Sequence, residues 1–186
     1  MKIGFIGFGK VAKNLTGLID SENITFLTSA QNRSENTIEN MKKSDVEILD
    51  TFKEVAAFSD ILISANSPSQ ALDIAAEYGK YSKGIYIDLN NISPKTTLKI
   101  NEYVDNFVDG AIIGKIDAPN PVLYLSGKNL EKLDFLDDFL EVHKISENPG
   151  DVSKLKLLRS MYTKSLSAVL MESFEIAENL DLKDEF

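Results

Sequence analysis

The side chains best suited to chemistry fall in five places along this sequence. The first is Gly7-Phe8-Gly9-Lys10-Val11-Ala12, at the end of the apolar run Ile3–Ile6. In a Gly-x-Gly-x-x-Ala turn the first glycine makes the bend and the second lets backbone approach a pyrophosphate. The alanine lets the following helix pack on the strand, with its N-terminus facing the phosphate charge. Glycine turns also occur with no ligand, so the flanks matter. Ile3, Phe5 and Ile6 read as a buried parallel strand, and Val11, Leu15, Leu18 and Ile19 recur at helical spacing. The segment predicts a dinucleotide site.

The second place is Thr28–Ser34. NAD-binding units carry an acidic residue about 20 positions past the glycines, on the ribose 2′-hydroxyl. No carboxylate occurs here before Glu35. Arg33 would pair bidentately with a 2′-phosphate, with Asn32 and the hydroxyls of Ser29 and Ser34 in the same loop. NADP is therefore expected ahead of NAD; a solvated loop arginine is the alternative. The third place, Ala65-Asn66-Ser67, follows a strand and would sit at the carboxyl edge of a sheet, where open α/β folds bind ligands. Its small residues leave room for ribose and nicotinamide, and they suit an ordinary strand-to-helix turn equally well. The fourth, Asn90, Asn91 and Ser93, ends another strand and would either hydrogen-bond a substrate or cap the next helix. The fifth is a polar stripe on an apolar helix: Lys156, Arg159, Ser160, Thr163, Lys164 and Ser167 share one side. Such a stripe faces partners, a wet cleft or plain solvent.

Composition removes several alternatives. There are no cysteines, so thiolate metal sites, disulfides and cysteine nucleophiles are excluded. The single histidine, His143, lies in a short strand pattern and reads as a surface residue; no metal site is expected. A net charge of −9 argues against a nucleic-acid or anionic-membrane surface. The N-terminal apolar run carries one lysine and is broken by glycines, unlike a signal peptide, and no stretch approaches the ~20 apolar residues of a membrane span. A cytoplasmic protein is expected.

These residues need a scaffold, and the pattern supplies one. Strands are expected at Lys2–Ile6, Ile24–Thr28, Val46–Leu49, Ile61–Ser64, Ile85–Leu89, Phe107–Ile112, Val122–Leu125 and Val142–Ile145, with helices between most of them. Ser34 before Glu35, the capping box Thr51–Glu54, and the pairs Ser67-Pro68 and Ser93-Pro94 mark helix starts, and Gly79 a helix end. Alternation of this kind implies an α/β fold of Rossmann type, a doubly wound, mostly parallel sheet. After Asn148-Pro149-Gly150 the pattern changes. Val152 to about Leu180 has no Gly or Pro and is nearly continuous apolar material, too apolar to stand alone in water. It must pack on the sheet domain, a partner chain, or both. The expected division is a dinucleotide domain over 1–149 and a long helix over 150–186.

With these residues in place the chain resembles the β-hydroxyacid dehydrogenase group, which includes 6-phosphogluconate and 3-hydroxyisobutyrate dehydrogenases. Four segments carry the likeness: Ile3–Leu15, Asp88-Leu-Asn-Asn-Ile-Ser-Pro94, Phe107-Val-Asp-Gly-Ala-Ile-Ile-Gly114, and Gly150–Ser160. Asp88–Pro94 and Leu157–Lys164 look most like a phosphogluconate-dehydrogenase-like NADP-binding subgroup. The resemblance implies hydride transfer between a small hydroxy acid and NADP. It puts the base on Lys156, with Lys164 as second candidate, and Asn90, Asn91, Ser93 and Arg159 around the substrate. It also implies a homodimer through the long helix. The chain departs from the group's pattern: Arg159-Ser160 replaces an Asn pair, Ile113 a serine, and Asn90-Asn91 a Ser-Thr pair. Members of the group continue through further helices, so only the start of an all-α domain is expected here. Alternatives are an imine- or pyrroline-carboxylate-type reductase and a non-catalytic NADP-binding module.

Overall fold

Alternate residues along the central strands are apolar in both directions, and both directions are buried. Ile3, Phe5, Ile61, Ile63, Ile85 and Ile87 fill one core, while Ile6, Leu62 and Tyr86 fill another on the opposite face. A sheet covered on both faces needs such strands. The computed structural model describes residues 1–118 and 121–186.

Eight strands form one sheet: β1 (Lys2–Ile6), β2 (Thr25–Ser29), β3 (Glu47–Leu49), β4 (Ile61–Ser64), β5 (Ile85–Asp88), β6 (Phe107–Ile113), β7 (Val122–Gly127) and β8 (Glu141–Ser146). Their order is β3-β2-β1-β4-β5-β6-β7-β8. Every pair is parallel except β6 with β7. The order reverses between β1 and β4, the switch point where a crevice opens at the carboxyl ends. The Rossmann-type, mostly parallel sheet expected from the sequence is the fold observed.

Helices α1 (Lys10–Leu18) and α2 (Glu35–Lys42) cover the first face with a 3₁₀ segment, Leu130–Asp138. Helices α3 (Phe52–Phe58), α4 (Ala71–Tyr78) and α5 (Pro94–Ile100) cover the second. Ser34 caps α2, Thr51 and Glu54 form the capping box of α3, and Ser93 caps α5 with Pro94 in the first turn.

The start signal Ser67-Pro68 acts differently from expectation, and Gly79 ends its helix as expected but by another geometry. Ser67-Pro68 opens a turn, closed by the Gln70 N–H donating to the Ser67 carbonyl at 3.0 Å, and α4 starts only at Ala71. Gly79 does not unwind its helix through a left-handed residue. The chain stays right-handed there and tightens into a 3₁₀ turn, Gly79–Tyr81. A side chain at Gly79 would meet the Tyr103 carbonyl at 2.7 Å, so close packing explains the glycine.

The long helix, α6 (Asp151–Asn179), begins at the expected place. Only Val152, Ser153 and Ala177 are buried. The sequence called for packing on the sheet domain, a partner chain, or both. Within the chain its middle stands clear, with Tyr162 71% and Met171 73% exposed. No helix among the described residues is long and apolar enough to cross a membrane.

Candidate active site

The carboxyl ends of β1, β4 and β5 open on a cleft of about 520 Å³. Its floor is the glycine turn. Gly7 has a φ of +94°, where a side chain is strained, and an added Cβ would lie 2.5 Å from both the Ala65 carbonyl and Asn66 Oδ1. At Gly9 the space a Cβ would occupy is empty, so that backbone borders open cleft. Gly9 also begins α1 with no side-chain cap and no acidic residue in the first turn. The first-turn N–H groups are therefore free to meet an anion. Phe8 is buried edge-on to Phe5, and Ala12 is buried where α1 meets the sheet. Lys10 and Val11 line the cleft, and Lys10 is paired with Asp117 at 2.8 Å.

One end of the cleft is bounded by Arg33. Asn32 turns the chain with a left-handed φ of 56°. The Arg33 guanidinium carbon then sits 4.6 Å from the centre of the Phe52 ring. Its buried Nε has no hydrogen-bond partner among the described residues. Burial pushes its pKa down, so an anionic ligand would relieve a cost the fold leaves in place. Ser29 and Ser34 are committed to the fold. The buried Ser29 hydroxyl donates to the Asp50 carbonyl at 3.1 Å and accepts from the Gln31 N–H, and Ser34 caps α2. Thr37, which was not among the candidates marked in the sequence, lines the cleft with Arg33, its hydroxyl 3.0 Å from Ser34 Oγ. Its signal was spacing: it follows Arg33 by four residues across the start of α2.

Ala65, Asn66 and Ser67 form the middle wall. They are held by a chain of amide bonds. The Asn66 side-chain amide donates to the Ile6 carbonyl at 2.5 Å, and the Asn66 backbone N–H donates to Asn90 Oδ1 at 2.6 Å. Asn90 Nδ2 donates in turn to Ser64 Oγ at 3.0 Å and Asp88 Oδ2 at 2.8 Å. Asn90 thus touches the cleft but has its polar atoms engaged. The exposed Asn91 keeps its amide open to the cleft, and Ser93 does not line it. Asp88 is buried, and desolvation, with a smaller push from Asp109, raises its pKa to about 7; the Asn90 bonds oppose this.

The far end is Lys156. It is half-buried in the second turn of α6 and lines the cleft with Leu89, Asn91, Ile112 and Ile116. Burial pushes its pKa down, and Asp109 pulls it back up. Downward is the direction a lysine base requires. Arg159 and Lys164 are exposed and do not line this cleft; Arg159 borders a separate shallow groove with Leu158, Tyr162 and Thr163. Asp109, to which the sequence reading gave no role, is buried under the start of α6. Ser153 donates to it from backbone N–H and hydroxyl, each at 2.8 Å.

The residues therefore fit a dinucleotide lying from Arg33, over the bare backbone at Gly9, to a ring position near Asn91 and Lys156. Comparisons with known proteins bear on the family and on its cofactor class. The family described as NADP oxidoreductase coenzyme F420-dependent matches residues 2–92. The whole chain is 46% identical to the uncharacterized 28.5 kDa protein in the 7S RNA 5′ region of Methanothermus fervidus, covering 74% of it. It is 35% identical, with a TM-score of 0.90, to the conserved protein MTH1747 of unknown function, a solved structure similar to 3-hydroxyacid dehydrogenases. The match spans all of this chain and 73% of that one. The chain belongs to this β-hydroxyacid dehydrogenase-like family. It is a family of NAD(P)-binding oxidoreductases. Two more distant members of the fold are Mycobacterium tuberculosis 3-hydroxyisobutyrate dehydrogenase and an imine reductase from Bacillus cereus. The first is 16% identical over 97% of this chain and 66% of its own, and the second 12% over 95% and 65%, each with a TM-score of 0.78. At that identity they share the β-hydroxyacid dehydrogenase-like architecture, not a demonstrated substrate.

Proposed function

We propose that the protein is an NADP-dependent oxidoreductase acting on a small hydroxy acid, with Lys156 as the base. The carrying observation is that Lys156, its pKa pushed down by burial, lines the same cleft as the glycine turn and Arg33. The first-turn N–H groups of α1 would hold the pyrophosphate, and Arg33 with Thr37 the 2′-phosphate. When bound, NADP supplies the hydride acceptor or donor. Lys156 Nζ takes the hydroxyl proton as the alcohol carbon is oxidised, and returns it in reduction. Asn91 is the amide placed to orient the substrate, and the apolar Leu89, Ile112 and Ile116 exclude water around it. The test is Lys156→Ala. Calorimetry should find NADPH binding intact while turnover over a hydroxy-acid panel disappears; turnover at the original rate would refute the assignment.

A second reading draws on the apolar substrate side of the cleft, formed by Leu89, Ile112 and Ile116: reduction of a C=N bond, with the Lys156 ammonium donating the proton to nitrogen. Cyclic imines in the same panel separate the two. We assign the exposed length of α6 to a second copy of the chain, making the working protein a homodimer.

A further inference from the structure

Four polar side chains stand in one register row that starts from the carboxyl ends of β4 and β5: Ser64 on β4, Asp88 on β5, Asp109 on β6 and Ser126 on β7. Residues in register on neighbouring strands present side chains to the same face. The row divides into two tasks. Ser64 and Asp88 hold Asn90, and through it the loop at Asn66. Asp109 and Ser126 hold α6. The helix begins at Gly150, which has no side chain to cap it. Its open N–H groups are met from the sheet instead: Val152 donates to Ser126 Oγ at 3.1 Å, and Ser153 to Asp109 Oδ2. The Ser153 hydroxyl donates to Asp109 Oδ1 and lies 2.9 Å from Thr97 Oγ1 on α5.

Lys156 follows Ser153 by three residues, on the same side of the helix one turn further on. Asp109 is the charge that acts on it. The groups facing Asp109 are few. Burial raises the pKa of Asp109 itself, and the bonds from Ser153, the Gly150 backbone and Ser126 on β7 hold it down toward the charged form; Asp88 is its titratable neighbour on β5 and Lys156 the one on α6.

We propose that Asp109 is the positioning residue of Lys156: it seats the first turn of α6 through Ser153, one helical turn before the lysine, and supplies a negative charge that acts on the amine without touching it. The proposal rests on the reading of Lys156 as base. Two features of the site follow from one carboxylate. Its hydrogen bonds fix where the amine enters the cleft, and its charge limits how far burial depresses the amine's basicity. The uncapped glycine start of α6 makes the arrangement strict, because no local side chain can replace the sheet's contribution.

The experiment is the pH dependence of Lys156 acetylation by acetic anhydride, read by peptide mass spectrometry on the full chain, with exposed Lys164 as internal reference. In Asp109→Asn the midpoint for Lys156 should move to lower pH, with that of Lys164 unmoved. In Ser153→Ala, which keeps the charge, the midpoint should stay near the wild-type value. An unchanged Lys156 midpoint in folded Asp109→Asn overturns the proposal. If that variant does not fold, Asp109→Glu retains the charge on a longer stem. It should lower turnover with NADPH affinity retained, and wild-type turnover there overturns the proposal equally. Lys156→Ala tests the base reading separately: activity in that variant, beside a shifted midpoint in Asp109→Asn, leaves Asp109 as the positioning residue and removes the base.

Discussion

Asn90 ties β5 to the loop after β4: its side-chain oxygen accepts the Asn66 backbone N–H at 2.6 Å. Asn66 carries the tie on to the Ile6 carbonyl at the mouth of the glycine turn. Three strand ends that must stay in register to form a cleft are thus clamped by two asparagines.

Asn90→Ala would strip the Asn66 N–H, Ser64 and Asp88 of a buried partner. Each orphaned buried group costs about 1–3 kcal/mol. The expected loss is about 3 kcal/mol, a fall in Tm of roughly 6–12 °C for a chain of this size. Thermal melts check it, and a loss below about 1 kcal/mol would mean that the clamp carries little.

Asp88 makes stability depend on pH in an unusual direction. Its folded pKa of about 7 lies above the ordinary 3.8. Between those values the folded chain binds more protons than the unfolded chain, so stability falls as pH rises through the window and levels off above it. At about 1.4 kcal/mol per unit the upper bound is on the order of 4 kcal/mol, shared with the adjacent Asp109. Melts from pH 4.5 to 8 should decline in the wild type and flatten in Asp88→Asn. A wild-type curve that rises across this range would contradict the assignment.

The sheet was legible in the sequence because both of its faces bury side chains, leaving uninterrupted runs such as Ile61–Ile63 between marked helix starts. The glycine turn was legible because its two glycines answer local demands, a positive φ at Gly7 and a bare backbone at Gly9. Asp109 was not. Its partners, Ser153 and Ser126, are remote along the chain and meet it only through strand register and the docking of α6. Ser29 misled for a related reason: its hydroxyl satisfies the Asp50 carbonyl across the sheet, a need invisible in the local segment. Arg159 and Lys164 share a helix side with Lys156, but α6 leaves the sheet too soon for them to reach the cleft.

The two glycines should fail in different ways. Gly7→Ala places a Cβ against two oxygens at a positive φ, so it should lose about 2 kcal/mol of stability and also bind NADPH poorly. Gly9→Ala meets nothing in the protein, so it should melt as the wild type does. Its methyl would stand where a pyrophosphate must approach, and NADPH affinity should drop tenfold or more, about 1.4 kcal/mol. Calorimetry beside thermal melts reads both effects. Wild-type binding by Gly9→Ala would move the cofactor away from this turn.

Arg33 is the residue proposed to choose between the two nicotinamide dinucleotides. Its unpartnered Nε and its place over Phe52 suit a 2′-phosphate, and a charge-assisted pair of this kind is worth about 1.5–3 kcal/mol. Arg33→Gln should therefore weaken NADPH binding by roughly 10- to 150-fold and leave NADH binding nearly unchanged. Equal losses for both would make Arg33 a packing residue only.

The apolar middle of α6 carries the last prediction. Leu158, Tyr162, Leu166 and Leu170 recur at four-residue spacing and are 63%, 71%, 48% and 49% exposed. A stripe of that kind is costly in water, and a matching helix from a second copy would cover it. Light scattering should then give about twice the 20.6 kDa chain mass. The double variant Leu166→Glu, Leu170→Glu should give a single chain that still binds NADPH, since the cleft draws nothing from α6 beyond Lys156. A wild type that stays monomeric at micromolar concentration would show that the stripe is covered by something other than its own copy.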